Sequence, residues 1–228
     1  LLGEGNDDLA VLIEDHDELE RRIHEEALAN KRDSLSRVVI DSLDPNASRV
    51  EEGVTIRSIG CLIEAAEECL KTKEKVQDGI LGLAQIVELG QQNHCRSAAE
   101  AAAVLSYIYA IRDVESTRTV GYVELYPEYV LDDLKPVPEI SRKYSGIALE
   151  LDPTCYKALF ERCFDNVFGD RRGFPDFRQG VGSYQLFMTG KMYAEQAGDE
   201  KYIEIFNDFY DKYCDTIDAD KQLDDEKE

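Results

Sequence analysis

The chain has 228 residues, 48 acidic against 26 basic side chains and a formal net charge of −22. That length suits one large helical domain or two small ones, and the charge argues against nucleic acid and against an anionic membrane surface, because self-repulsion would oppose both. No apolar run approaches the ~18 residues of a membrane span, so direct membrane insertion is not expected, and the lack of tryptophan and the few prolines favour helix over sheet.

In chain order, Asp7 to about Asn30 carries a helical stripe of Leu9, Leu12, Ile13, His16, Leu19, Ile23 and Ala27. A second segment, Ser34 to Leu43, ends at Asp44-Pro45. Val54 to Leu70 reads as one helix with Ile56, Ile59, Ile63 and Ala66 inward. Val76 to Leu89 reads as another, with Val76, Ile80, Leu83 and Val87 on a seven-residue pattern. The short link Lys71 to Lys75 makes these two antiparallel neighbours, and Gly90 reads as the breaker that closes the pair. Ser97 to Arg112 is an alanine-rich helix whose packing face is Ala101, Ala102, Leu105, Ile108 and Tyr109.

Residues 107–138 contain an insert with little helix. Its Thr119 to Pro127 segment alternates like a short strand, and Pro136 and Pro138 end it. A loop of this length is usually functional or packed by its own side chains. Tyr122 and Tyr126 are therefore candidate partner-binding residues, with Tyr129 beside them.

From Lys143 to Val167 the sequence describes a hinge between two helices. Ile140, Tyr144, Ile147, Ala148 and Leu151 share one helical face, Asp152 can cap the next helix, and Pro153 suits its first turn. Tyr156, Leu159, Phe160, Cys163, Phe164 and Val167 then resume the apolar face. The glycine-rich connection Gly169 to Gly182 places Arg171, Arg172 and Arg178 among Phe174 and Phe177, a basic-aromatic cluster in an acidic chain. Arginine forks suit carboxylates or phosphates and the rings suit stacking, so these five are candidate partner-binding residues; neutralisation of neighbouring helices is the plainer reading. No G-K-[ST] follows, so a P-loop is excluded. Helices from Ser183 to Gln196 and from Glu200 to Ile217 follow, then an acidic tail.

All 12 tyrosines and all 8 phenylalanines lie after Ser106, so the first part must pack through Leu, Ile, Val and Ala alone. The expected organisation is an aromatic-free helical region 1–106, the insert 107–138, an aromatic-rich helical-hairpin region 139–214 and an acidic tail 215–228. Of the six cysteines, Cys61/Cys69 and Cys155/Cys163 share a spacing of eight, about 12 Å of helix and too far for a bond within one helix. Two antiparallel helices could be stapled by such pairs, but small buried hydrophobes are the simpler reading.

The passage Ala148-Leu-Glu-Leu-Asp-Pro-Thr-Cys-Tyr-Lys-Ala-Leu159 resembles the junction between successive tetratricopeptide repeats, with Ala148 five before the proline and Leu159 six after it. Gly190 to Phe206 is similar to the helix–turn–helix of that repeat: Gly190 and Tyr193 in its first helix, Gly198-Asp199 at its turn, Phe206 in its second. Tyr202 and Phe209 stand where the family keeps alanines. The resemblance implies an array of helical hairpins. The fold expected is all-α, an irregular array of antiparallel helical hairpins, degenerate tetratricopeptide-like or a helical bundle.

His16, Glu20 and His24 stand at i, i+4 and i+8, an imidazole–carboxylate–imidazole spacing that suits a metal in principle, and the surrounding run resembles the first helix of hemerythrin-like proteins. That family needs histidines on four helices, and only His94 remains, so no metal and no other cofactor is expected. No G-x-S-x-G elbow or comparable catalytic motif occurs. The function expected is a non-enzymatic helical scaffold or adaptor, an accessory subunit that contacts other protein subunits of an assembly. The alternative is a small-ligand or metal-binding helical bundle, an enzyme included. An intracellular location is favoured, an organelle included should a targeting segment have preceded Leu1.

Overall fold

A computed structural model of the protein describes residues 39–110, 125–131, 134–168 and 182–225. Within these residues the chain is mostly helical, with seven helices packed pairwise and a small three-stranded sheet. The sheet corrects the all-α expectation. Its strands are β1 (Val39–Ile40), β2 (Ser48–Glu51) and β3 (Val54–Ser58), in the order β1-β3-β2, with β1 parallel and β2 antiparallel to β3.

Val54 to Ser58 was expected to open a helix and is a strand instead. The β-branched run Val54, Thr55, Ile56 suits a pleated surface. Ile56 and Ser58 point inward while Thr55 and Arg57 are exposed, the alternation of a half-buried strand. Glu52 (φ 51°) and Gly53 (φ 80°) are both left-handed, as a two-residue hairpin loop of type I′ requires, and they turn β2 into β3. Val39 and Ile40, read as part of a longer segment, are parallel partners of Arg57 and Ser58.

Helix α1 (Ile59–Leu70) begins where the Ser58 hydroxyl accepts from the Cys61 N–H at 3.1 Å, an N-cap that stops the strand. Lys73–Lys75 forms a single 3₁₀ turn before α2 (Val76–Asn93). Gly90, expected to end this helix, lies inside it. Four residues later His94 takes the left-handed cap (φ 53°), and its N–H donates to the Gly90 carbonyl. Gly90 is needed for space: a Cβ there would stand 2.2 Å from the Cβ of Ala98, the first residue of α3 (Ala98–Tyr109). The remaining helices are α4 (Pro138–Leu151), α5 (Tyr156–Phe168), α6 (Ser183–Ala197) and α7 (Glu200–Asp225). Gly198 (φ 69°) closes α6. The acidic stretch after Asp215 begins inside α7, which bends at Tyr213 and buries Ile217 completely.

Each helix packs on the next, α3 also touches α1 and α5, and α5 also touches α7. One hydrophobic core runs from Val39 to Ile217, joining the aromatic-free and aromatic-rich parts. Helix α3 is its axle: every residue from Ala101 to Ile108 is buried, and small alanines let neighbouring helices approach closely. A reciprocal clasp locks α3 to α4, the Ser106 hydroxyl donating to the Ser141 carbonyl (2.9 Å) and the Ser141 hydroxyl to the Ser106 carbonyl (2.8 Å). At the other end Phe160 is ringed by Phe164, Tyr202, Phe206 and Phe209, mostly edge to face. Gly190 of α6 lies against this cluster, where a Cβ would meet the Phe206 ring at 2.5 Å and Leu159 at 3.2 Å. All six cysteines are free thiols, with Cys95, Cys155 and Cys163 buried.

Candidate functional site

A cleft of about 550 Å³ opens where the end of β1, the start of α3, the α4–α5 hinge and the end of α6 meet. Its lining includes Asp41, Arg96, Glu100, Asp152, Lys157 and Tyr193. Each charged group has a structural partner. The Asp41 carboxylate accepts from the N–H groups of Arg96 (3.0 Å) and Ser97 (2.8 Å), so the start of α3 is closed by a side chain 55 residues upstream. Arg96 in turn bridges to Asp152 at 2.9 Å. Asp152 also accepts from the N–H (2.9 Å) and hydroxyl (2.7 Å) of Thr154, which forms the hinge turn before α5. Asp152, expected to cap the next helix with Pro153 in its first turn, is instead the C-cap of α4; its carboxylate shapes the turn, and α5 begins only at Tyr156.

Deeper in the cleft Lys157 donates to Glu100, joining α5 to α3, and both side chains are only 19% exposed. The Tyr156 hydroxyl donates to Asp199 at 2.8 Å, and the same carboxylate caps α7 through the Tyr202 N–H at 3.1 Å. Lys157 also sits 5.5 Å above the Tyr202 ring, a cation–π contact.

These contacts set the protonation states. Burial disfavours the Lys157 ammonium, but the Glu100 carboxylate outweighs it and the pKa ends above the ordinary lysine value. Burial, reinforced by Glu100, pushes the Cys155 thiol up to about 12. Burial and the bond to Asp199 raise the Tyr156 phenol. Burial alone would raise the Asp152 carboxyl, yet its bonds from Arg96 and Thr154 hold it below the usual carboxylate range. The Lys157 amine, the Cys155 thiol and the Tyr156 phenol are thus all held above their ordinary values. The cleft is built as an electrostatic lock between helices.

The second notable arrangement contains Tyr126. Residues 125–131 form a strap that runs from α7 over α3 to α1. Lys201 of α7 donates to the Leu125 carbonyl at 2.7 Å and sits 5.1 Å from the Tyr126 ring centroid. The Tyr126 ring packs edge-on against Tyr107 of α3 and stacks on Tyr129, and its hydroxyl stands 3.4 Å from that of Tyr202. The Val130 N–H donates to the Leu70 carbonyl at the end of α1 (2.9 Å), and Tyr129 hydrogen-bonds Glu67. Leu125, Tyr129 and Leu131 are buried. Burial drives the Tyr126 and Tyr202 phenols well above their ordinary pKa, so both remain neutral.

Tyr126 is thus engaged inside the molecule. Tyr122, Arg171, Arg172, Phe174, Phe177 and Arg178 lie outside the described residues, as do His16, Glu20 and His24. His94 is the exposed C-cap of α2. Among the described residues no group of three His, Cys, Asp or Glu side chains stands close enough to hold a metal, and no helix is long and apolar enough to cross a membrane. Sequence reasoning named Asp152 but missed Arg96, Glu100 and Lys157, whose partners are more than 50 residues away along the chain. No family model, no curated protein and no solved structure matches the chain.

Proposed function

We propose that the protein is a non-enzymatic helical scaffold or adaptor, an accessory subunit that acts by contacts with other protein chains. The observation that carries this reading is the cleft: Arg96, Asp152, Tyr156 and Lys157 are engaged in bonds that hold the elements around it together. The serial packing of the helices, with α1, α3, α5 and α7 in contact along one layer, supports an array of antiparallel hairpins. So does the meeting of Gly190, Phe206 and Leu159, three of the positions at which the sequence resembles tetratricopeptide repeats. Partner contacts are assigned to the Arg171, Arg172, Phe174, Phe177, Arg178 loop and to Tyr122. The acidic surface suits basic faces on the other subunits.

Affinity isolation from native source with mass spectrometry tests the reading. Stable co-purification of defined subunits, weakened when Arg171, Arg172 and Arg178 are changed together to Ser, is expected. A monodisperse chain with no companion overturns it. A second reading rests on the cleft volume, which falls in the ~300–1,000 Å³ range of small-molecule sites. A metabolite that raises the melting temperature of the wild type and not of Tyr193→Ala would favour that reading.

A further inference from the structure

The outer edge of β2 is an exposed strand edge. All four residues Ser48 to Glu51 are exposed, and within the described residues only β3 pairs with the strand. The direction of its backbone groups follows from one bond. The Ser58 N–H donates to the Ala47 carbonyl at 3.1 Å, so residue 47 faces β3. Antiparallel ladders alternate, so 49 and 51 also face β3 while Ser48 and Val50 turn their N–H and C=O groups outward. Val50 is 69% exposed, and Val54, opposite Glu51 across the hairpin, is 64% exposed. Exposed edges of this kind are templates for another strand.

The sequence of the edge names the strand that fits. Arg49-Val-Glu51 is self-complementary when read antiparallel about Val50. A second copy related by a two-fold axis places Val50 against Val50 as a doubly hydrogen-bonded pair. It also places each Arg49 directly opposite Glu51 of the other copy. Arg49 and Glu51 lie on one face of the strand and already salt-bridge at 3.0 Å, so both are oriented for that exchange. Isologous pairing of this type is the commonest way identical chains associate. We propose that β2 is a homodimerisation edge, through which two copies join their three-stranded sheets into one six-stranded sheet. The contact is small beside a standard interface, and two chains of net charge −22 repel, so the association is weak and assisted by salt.

Charge reversal tests the register. Sedimentation and light scattering across micromolar to near-millimolar concentration, at physiological salt, should show the wild type passing from monomer to dimer. Arg49→Glu alone and Glu51→Arg alone should each weaken association at least tenfold. An equimolar mixture of the two should restore it, as should Arg49→Glu combined with Glu51→Arg. Amide exchange gives the position: the Val50 amide should gain protection with concentration. Arg49 and Glu51 amides, bonded to β3, should stay protected in every variant and report an intact hairpin. A monomer at all concentrations overturns the proposal. So does dimerisation indifferent to the single reversals, or protection of the β2 edge only when a different protein is added.

Discussion

Gly190→Ala is a sharp test of how the aromatic end of the core is assembled. In a helix interior the change removes a flexible glycine and on propensity alone stabilises by about 1 kcal/mol. The added methyl carbon, however, would stand 2.5 and 3.0 Å from two Phe206 ring atoms and 3.2 Å from the Leu159 Cβ. Phe206 is fully buried, its ring centroid 5.2 Å from Phe160 and 5.9 Å from Phe187, so it cannot swing aside without displacing both. Overpacking of a closed core costs about 1–3 kcal/mol, and two-sided confinement puts this site at the upper end, for a net loss of about 2 kcal/mol. At this chain length that corresponds to a fall of roughly 4–8 °C in melting temperature. Gly146→Ala is the control, because its nearest neighbour is the flexible end of Arg162 at 3.0 Å; it should be neutral or stabilising by up to about 1 kcal/mol. Urea unfolding of both variants, followed by far-ultraviolet circular dichroism, measures the difference. Gly190→Ala as stable as the wild type would show that α6 and α7 do not pack as described.

The Ser106–Ser141 clasp should behave as one unit: each Ser→Ala change costs about 1–2 kcal/mol, and the double variant costs clearly less than the sum in a urea double-mutant cycle. Glu67 has its pKa raised above 4.5 chiefly by burial, against a hydrogen bond from Tyr129. The folded state therefore holds that proton more tightly, and stability falls as pH rises from 4.5 through the folded value. Glu67→Gln, whose amide oxygen still accepts from Tyr129, should match the wild type below that window and exceed it at pH 7 in thermal melts. Asp152 is the opposite case: its lowered pKa gives stability that is present above 3.8 and lost as pH falls through the folded value, so Asp152→Asn should destabilise at pH 7 and little at pH 3. Iodoacetamide at pH 8 should modify Cys61, Cys69 and Cys214 in the folded protein before Cys95, Cys155 and Cys163, read by intact and peptide mass; early reaction at Cys155 would contradict its burial.

What could be read in the sequence was periodicity and its local punctuation. Ile59, Ile63 and Ala66 are buried on α1 as their spacing predicts. Ile56 fits the same i, i+3 series and is also buried, but from a strand, because three residues span the junction as well as they span a turn of helix. Only the β-branched run before Ser58 carried the distinction, together with Glu52-Gly53 as a hairpin turn. Gly90 was legible as special but not as to why: a breaker and a close-packing position look alike until the neighbouring helix is placed. The same holds for Tyr126, whose isolated position in an insert does not reveal the Tyr107 and Tyr202 rings that receive it. Arg96, Glu100 and Lys157 were invisible as a group, because charged residues fill the chain and only tertiary geometry selects the pairs.

The strap has a consequence for the order in which the chain can assemble. Its anchors are Leu70 on one side and Lys201 and Tyr202 on the other, so residues 125–131 wait for an element synthesised some seventy residues later. Until α7 emerges, Leu125 and Tyr126 lack half of their seat and apolar surface stays open to solvent. A nascent chain therefore passes through a stretch of translation in which the hairpins N-terminal to the strap are made but not sealed. Helix α7 acts as a latch, and a fragment ending before it would keep that surface exposed however well its own helices form.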